Sequence, residues 1–212
     1  MRIFIKIIVA AIFLNLISCT KNTIGPDPNN STVTDIDGNT YKALKIGNQI
    51  WSIENLRTTK YKDGTAISLV KSDSVWLSIF DSKHEAYCYY NNTSDADSIK
   101  RFGALYNWYA VNTKKLAPEG WHVPTDSDWT SLNDFLTSNG QNYYDSIGFS
   151  ANAGGHRYYN GEFYEIGHCG RWWSTTERGV QQAYCRLLCT DANDLSDFTD
   201  KSAGCLIRLI KD

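Results

Sequence analysis

The stretch from Gly120 to Trp129, Gly-Trp-His-Val-Pro-Thr-Asp-Ser-Asp-Trp, constrains the fold of this chain more than any other. Gly120 frees the backbone, Trp121-His122-Val123 reads as extended, and Pro124 holds the residue before it out of the α region. Thr125 is placed to cap a helix, with Asp128 three residues on as a shortened capping-box partner. Asp126 then sits at the positive end of the helix dipole. Trp129, Leu132, Phe135 and Leu136 follow at helical spacing, so one face is apolar, and Asn139-Gly140 ends the helix. The segment predicts a strand, a sharp corner and a capped helix anchored by two tryptophans. It speaks for architecture and hardly at all for chemistry.

The start of the chain bears on location. Arg2 and Lys6 precede the apolar run Ile7 to Phe13, which closes on Leu16-Ile17-Ser18-Cys19. A basic start, a short apolar region and small closing residues make a secretory signal, too short for a spanning helix. The four closing residues are similar to a bacterial lipobox, which implies that residues 1–18 are removed and Cys19 is acylated. Residues 19–32 are polar and carry Pro26 and Pro28, as a flexible tether would. The expected arrangement is a lipid on Cys19, a tether, and a folded domain over 33–212 in the cell envelope, at the outer membrane or cell surface.

Without residues 1–18 the chain keeps 19 basic against 23 acidic groups. No Lys/Arg-rich run appears, so the footprint of a nucleic-acid partner is missing. Five cysteines follow the lipobox: Cys88, Cys169, Cys185, Cys189 and Cys205. In an exported protein these allow two disulfides and one unpaired thiol. Their spacing does not match a zinc pair-of-pairs, and His168 stands alone beside Cys169, so no metal or other cofactor is expected.

Val33–Ile36, Thr40–Ile46 and Gln49–Trp51, separated by Asp37-Gly38-Asn39 and Gly47-Asn48, read as a three-stranded meander. Glu54 and Asn55 lie between apolar neighbours, where they either hold a loop or meet a ligand; the loop role is the expected one. Ser74–Phe80 is ambiguous, Glu85–Tyr90 reads as a strand, and Asn91–Lys100 as a polar loop. Leu105, Trp108 and Tyr109 stand in i, i+3, i+4 relation and predict a helix over Phe102–Val111, although its β-formers argue the other way. After Gly140 the chain becomes Gly-rich and aromatic. Arg157–Asn160 and Glu162–Ile166 predict a hairpin about Asn160-Gly161. Arg171–Thr176, Gln182–Leu188 and Ala203–Ile210 predict three further strands.

Six ordered blocks carry a family resemblance: Asp35–Tyr41, Ile46–Trp51, Glu54-Asn55-Leu56, Gly103–Val111, Ala117–Thr125 and Trp172–Glu177. They resemble the Fibrobacter succinogenes major paralogous domain over nearly all of 33–212, a domain found in secreted or lipid-anchored bacterial proteins. Tyr106-Asn107-Trp108, Val123–Trp129 and Gly204–Arg208 are similar to blocks of formylglycine-generating-enzyme-like domains. That second resemblance implies an α+β, C-type-lectin-like fold: two helices, a twisted antiparallel sheet whose ends meet, and long irregular loops. The chain departs from both patterns. Arg208 is followed by Leu209 where the first family carries a cysteine. Cys185 and Cys189, near the region of the oxidase copper pair, have three residues between them rather than four, and the Gly-Gly-Ser-Trp block is missing.

The resemblance and location together imply a non-enzymatic binding or adhesion module, with a glycan or surface protein as partner. The aromatic, Gly-rich half from Phe149 to Trp173 supplies the candidate ligand-binding residues His156, Arg157, Tyr158, Tyr159, Glu162 and Trp172. Rings of this kind pack on sugar C–H faces while polar neighbours give directional bonds. The calcium-lectin signatures Glu-Pro-Asn, Gln-Pro-Asp and Trp-Asn-Asp are absent, so calcium is not implied. Other readings are a structural part of a surface assembly, a copper oxidase at Cys185 and Cys189, and a catalyst built from Ser174, Thr176 and His168. No catalytic set is assigned. In a lectin-like fold the last strands lie side by side, which implies a disulfide involving Cys205, with Cys185 as partner and Cys189 competing for it.

Overall fold

The computed structural model describes residues 24–26, 32–140, 153–190 and 192–212. The signal segment, Cys19, much of the tether and Phe149 lie outside them. The first strands are β1 (Ile24–Pro26), β2 (Thr32–Thr34), β3 (Thr40–Ile46) and β4 (Gln49–Ser52). They form the expected meander, with β2 and β4 on β3. Part of the expected tether also joins it, because β1 pairs antiparallel with Leu44–Ile46.

Next come β5 (Ser68–Leu69), α1 (Asp73–Ser82), β6 (Ala86–Cys88), a 3-10 turn at Tyr90–Asn92, α2 (Ala96–Phe102), β7 (Leu105–Tyr106) and α3 (Trp108–Asn112). The ambiguous Ser74–Phe80 is helical because Ser72 caps it, its hydroxyl accepting from Val75 N, while Trp76 and Ile79 are buried on the inner face. The polar loop expected at Asn91–Lys100 instead winds into α2, capped by Asp95.

The helix expected over Phe102–Val111 is corrected. Gly103 turns with φ +79, and a side chain there would meet Asn55 Cβ at 2.4 Å. Leu105 and Tyr106 then pair with Cys88 and Tyr87 as strand. Helix begins only after Asn107, a buried residue whose Oδ1 accepts from both Ala110 N at 3.0 Å and Ala86 N at 3.2 Å. That cap outweighs the apolar spacing.

Strand β8 (Trp121–His122) and helix α4 (Asp126–Ser138) follow as expected. Thr125 and Asp128 form a full capping box, and Trp129, Leu132 and Leu136 are buried. Trp51 and Trp129 meet at 4.8 Å between ring centroids. The remainder is strand: β9 (Gly154–Arg157), β10 (Phe163–Ile166), β11 (Cys169–Glu177), β12 (Gln182–Cys189), β13 (Ala192–Asp200) and β14 (Ile210–Lys211). The order β10-β9-β11-β12-β13 makes one sheet, and β14 enters the first sheet between β4 and β8. Both ends of the described chain therefore meet in one sheet.

The strand expected over Ala203–Ile210 is largely a buried thread. It bonds to a different partner at each step: Arg157 at Gly204, Tyr106 at Cys205, Arg171 and Trp173 at Leu206, Leu56 at Ile207 and Ser52 at Leu209. Changing partners satisfies the buried backbone without a regular ladder. The fold is mixed α+β, with four α-helices among the described residues where two were expected.

Candidate functional site

The β9–β10 hairpin turns through Tyr158–Gly161, closed by Gly161 N to Tyr158 O at 3.0 Å and Tyr158 N to Glu162 O at 2.8 Å. Gly161 (φ +97) is required here, since a Cβ would sit 2.8 Å from Asp73 Cβ. The hairpin is thus seated on the first turn of α1. The fastening is Arg157, fully buried. It donates to Val70 O at 2.8 Å, Gly161 O at 2.9 Å and Asp73 Oδ1 at 2.5 Å. Its guanidinium lies over the Trp76 ring at 4.4 Å and the Phe163 ring at 4.7 Å.

Two expected ligand residues are therefore reassigned. Arg157 holds the scaffold, and Trp172 is core, fully buried, with its indole N–H on Asn55 Oδ1 at 2.9 Å. Asn55 takes the expected loop-holding role. His156 is also buried, lying 5.7 Å from the Tyr164 ring in a stack and 3.5 Å from Glu165 Oε2. Burial, then the neighbouring Arg171 cation, lower its pKa to about 4, so it is neutral at pH 7.

Tyr158, Tyr159 and Glu162 reach solvent as expected, and the structure brings two further rings beside them. Phe80 of α1 lies 6.4 Å from Tyr159, Tyr159 6.0 Å from Tyr158, and Tyr158 5.5 Å from Tyr164. The three tyrosines are 36–41% exposed, enough to offer ring surface to a ligand. Glu162 accepts from the Tyr164 hydroxyl and from Asn160 Nδ2, and these bonds hold its carboxyl below the usual range. Clefts flank the hairpin on both sides. One of about 480 Å³ is lined by Asp73, Asn91, Asn92, Gly161, Glu162, Phe163 and Tyr164. The other, of about 310 Å³, is lined by Ser74, Leu77, Ser78, Phe80, Asp81 and Tyr159.

Sequence reasoning missed Phe80, Tyr164 and Asp73. The register His156↔Tyr164 follows from the hairpin and was within reach. The approach of α1 depends on tertiary packing and left no local signal.

A cleft of about 500 Å³ near β2 is lined by Thr34, Asp35, Ile36, Lys62, Asp63, Leu116, Pro118 and Glu119, without an aromatic ring. Its Asp35 carboxylate already accepts from Asp37 N, Asn39 N and the Tyr41 hydroxyl.

The disulfide expected at Cys205 with Cys185 is replaced by Cys169–Cys189. Strands β11 and β12 place 169 directly opposite 189, whereas Cys205 rides the thread beside Tyr106. The neighbours of β12 are β11 and β13, so the thread does not pair with the strand of Cys185, although both buried thiols lie in one core cluster. Cys88, Cys185 and Cys205 are buried free thiols. The Cys185–Cys189 pair considered for copper is thereby divided between a free thiol and a disulfide. Ser174 is buried at mid-strand, its hydroxyl accepting from Thr176 N at 3.1 Å. His168 lies at the other end of β11, with Nδ1 3.3 Å from Cys169 Sγ. Among the described residues no group of three or more His, Cys, Asp or Glu side chains is placed to hold a metal ion. No helix among them is long and apolar enough to cross a membrane.

Residues 44–145 match the sequence model of the Fibrobacter succinogenes major domain. The match runs from β3 past the end of α4, short of the hairpin and of β11–β13. No curated protein and no solved structure matches the chain.

Proposed function

We propose that this protein, which carries a Fibrobacter succinogenes major domain over residues 44–145, is a non-catalytic glycan-binding module of the bacterial cell envelope, anchored by a lipid on Cys19. The observation that carries the reading is the run of rings Phe80, Tyr159, Tyr158 and Tyr164, the tyrosines exposed and Phe80 half-buried in the flanking cleft, bordered by carboxylates and amides. Sugars present apolar C–H faces and hydroxyls together, and a ring beside a hydrogen-bonding side chain meets both demands. Contiguous apolar surface on a monomer often marks a binding site.

Three further points support it. The basic, apolar and lipobox sequence of the first 19 residues suits export and acylation. An α+β fold whose C-terminal strand inserts between β4 and β8 suits a C-type-lectin-like architecture. Finally, the cysteine and serine arrangements that would serve catalysis are occupied by a disulfide and by core packing.

The test is a glycan array probed with the chain from Thr20 to Asp212, which keeps β1 and β2. Retention of a defined class of glycan, reduced by Tyr159→Ala, is the expected result. An array with no retained glycan overturns the reading and leaves a structural role in a surface assembly.

A further inference from the structure

We infer that the ring surface takes an extended, uncharged oligosaccharide rather than a single sugar or an acidic glycan; this rests on the glycan-binding reading above. Two independent observations point there. First, the rings continue from α1 across the hairpin to β10, with successive centroids 6.4, 6.0 and 5.5 Å apart. Neighbouring planes are inclined by 51°, 53° and 74°, so the surface is a twisted ridge and no single flat ring can cover it. A chain of linked sugars can turn from one ring to the next. Each further contact becomes intramolecular once the first is made, so affinity accumulates with length.

Second, the charged groups lining the two clefts are all carboxylates. Asp73 and Glu162 line one cleft and Asp81 the other, and among the described residues neither cleft has a Lys or Arg in its lining. Arg157, the cation beneath, is buried and committed to Asp73 and to backbone carbonyls. Carboxylates with Asn91, Asn92, Ser74 and Ser78 accept from and donate to hydroxyls. Asp73 is compensated by Arg157, but Glu162 and Asp81 repel uronate or sulfate groups within a Debye length of about 10 Å.

Titration of the chain from Thr20 to Asp212, which keeps β1 and β2 on β3, with homologous series of one to six units tests this. The series are neutral gluco-, manno-, xylo- and N-acetylchito-oligosaccharides, with oligogalacturonates as the acidic probe. The expected result is a neutral series whose affinity rises about tenfold or more from one unit to four, with oligogalacturonates weaker at every length. Phe80→Ala, at the end of the ridge, should lower affinity for the tetrasaccharide by a larger factor than for the disaccharide, with circular dichroism confirming that the variant folds. Binding that is flat with length, or tighter for oligogalacturonates, overturns the inference while glycan binding stands. Absence of binding in every series overturns both.

Discussion

The Trp172 indole donates to Asn55 Oδ1 at 2.9 Å across 117 residues of chain. Asn55 Nδ2 in turn donates to Phe102 O at 2.8 Å, and both side chains are almost wholly buried. The Glu54-Asn55-Leu56 block is thereby tied to the Trp-Trp-Ser block and to the end of α2. Asn55→Ala should orphan a buried donor and a buried acceptor, costing about 1–3 kcal/mol for each. Urea unfolding measures it. A loss below about 0.5 kcal/mol, the scale of an ordinary surface change, would mean that Asn55 does not join these blocks.

The Cys169–Cys189 bridge clasps β11 to β12 across a sequence separation of 20. Closing such a loop contributes roughly 3 kcal/mol in the chain-entropy picture. The double variant Cys169→Ser, Cys189→Ser should lose about that much. Peptide mapping without reduction should find this one bridge. The other three thiols should alkylate only after unfolding, since all are buried and burial pushes the Cys88 and Cys185 thiols up to about 12. A bridge at Cys205 would contradict this arrangement.

Local signals made part of this legible. Thr125 and Asp128 announce α4, and the structure has that capping box. Asp37-Gly38-Asn39, Gly47-Asn48 and Asn160-Gly161 announce turns that join the strands expected of them. What stayed hidden depends on distant partners. Asn107 halts a helix by bonding Ala86, and the thread from Ala203 to Leu209 changes neighbour at every step. Arg157 and Trp172 have the composition of a binding site and the burial of a core. The ring surface is half legible for the same reason: Tyr158 and Tyr159 lie on the predicted hairpin, but Phe80 arrives on a helix from the other half of the chain.

His156 makes stability depend on pH. Its pKa falls from an ordinary 6.5 to about 4 in the folded protein, through burial first and then Arg171, with Asp197 opposing. Between these values the unfolded chain binds the proton and the folded chain does not. The contribution is therefore complete above pH 6.5 and lost as pH falls toward 4, reaching about 3 kcal/mol at the limit. Unfolding free energies at about pH 7.5 and 4.5 should differ more for wild type than for His156→Leu. Equal differences would show that His156 is not held neutral.

Acylation and removal of residues 1–18 should both depend on Cys19. Cys19→Ala should take up no labelled fatty acid and keep the apolar run Ile7 to Phe13, since both steps need that thiol. A variant that still carries the label contradicts the lipobox reading.

The most direct test of the central claim compares wild type with the double variant Tyr158→Ala, Tyr159→Ala in affinity electrophoresis through gels containing neutral polysaccharide. Both rings are substantially exposed, so the variant should keep its melting temperature within a few degrees. The account predicts that wild type is retarded and that the double variant migrates as it does in a gel without polysaccharide. Equal retardation of the two proteins would place the binding surface elsewhere and contradict it.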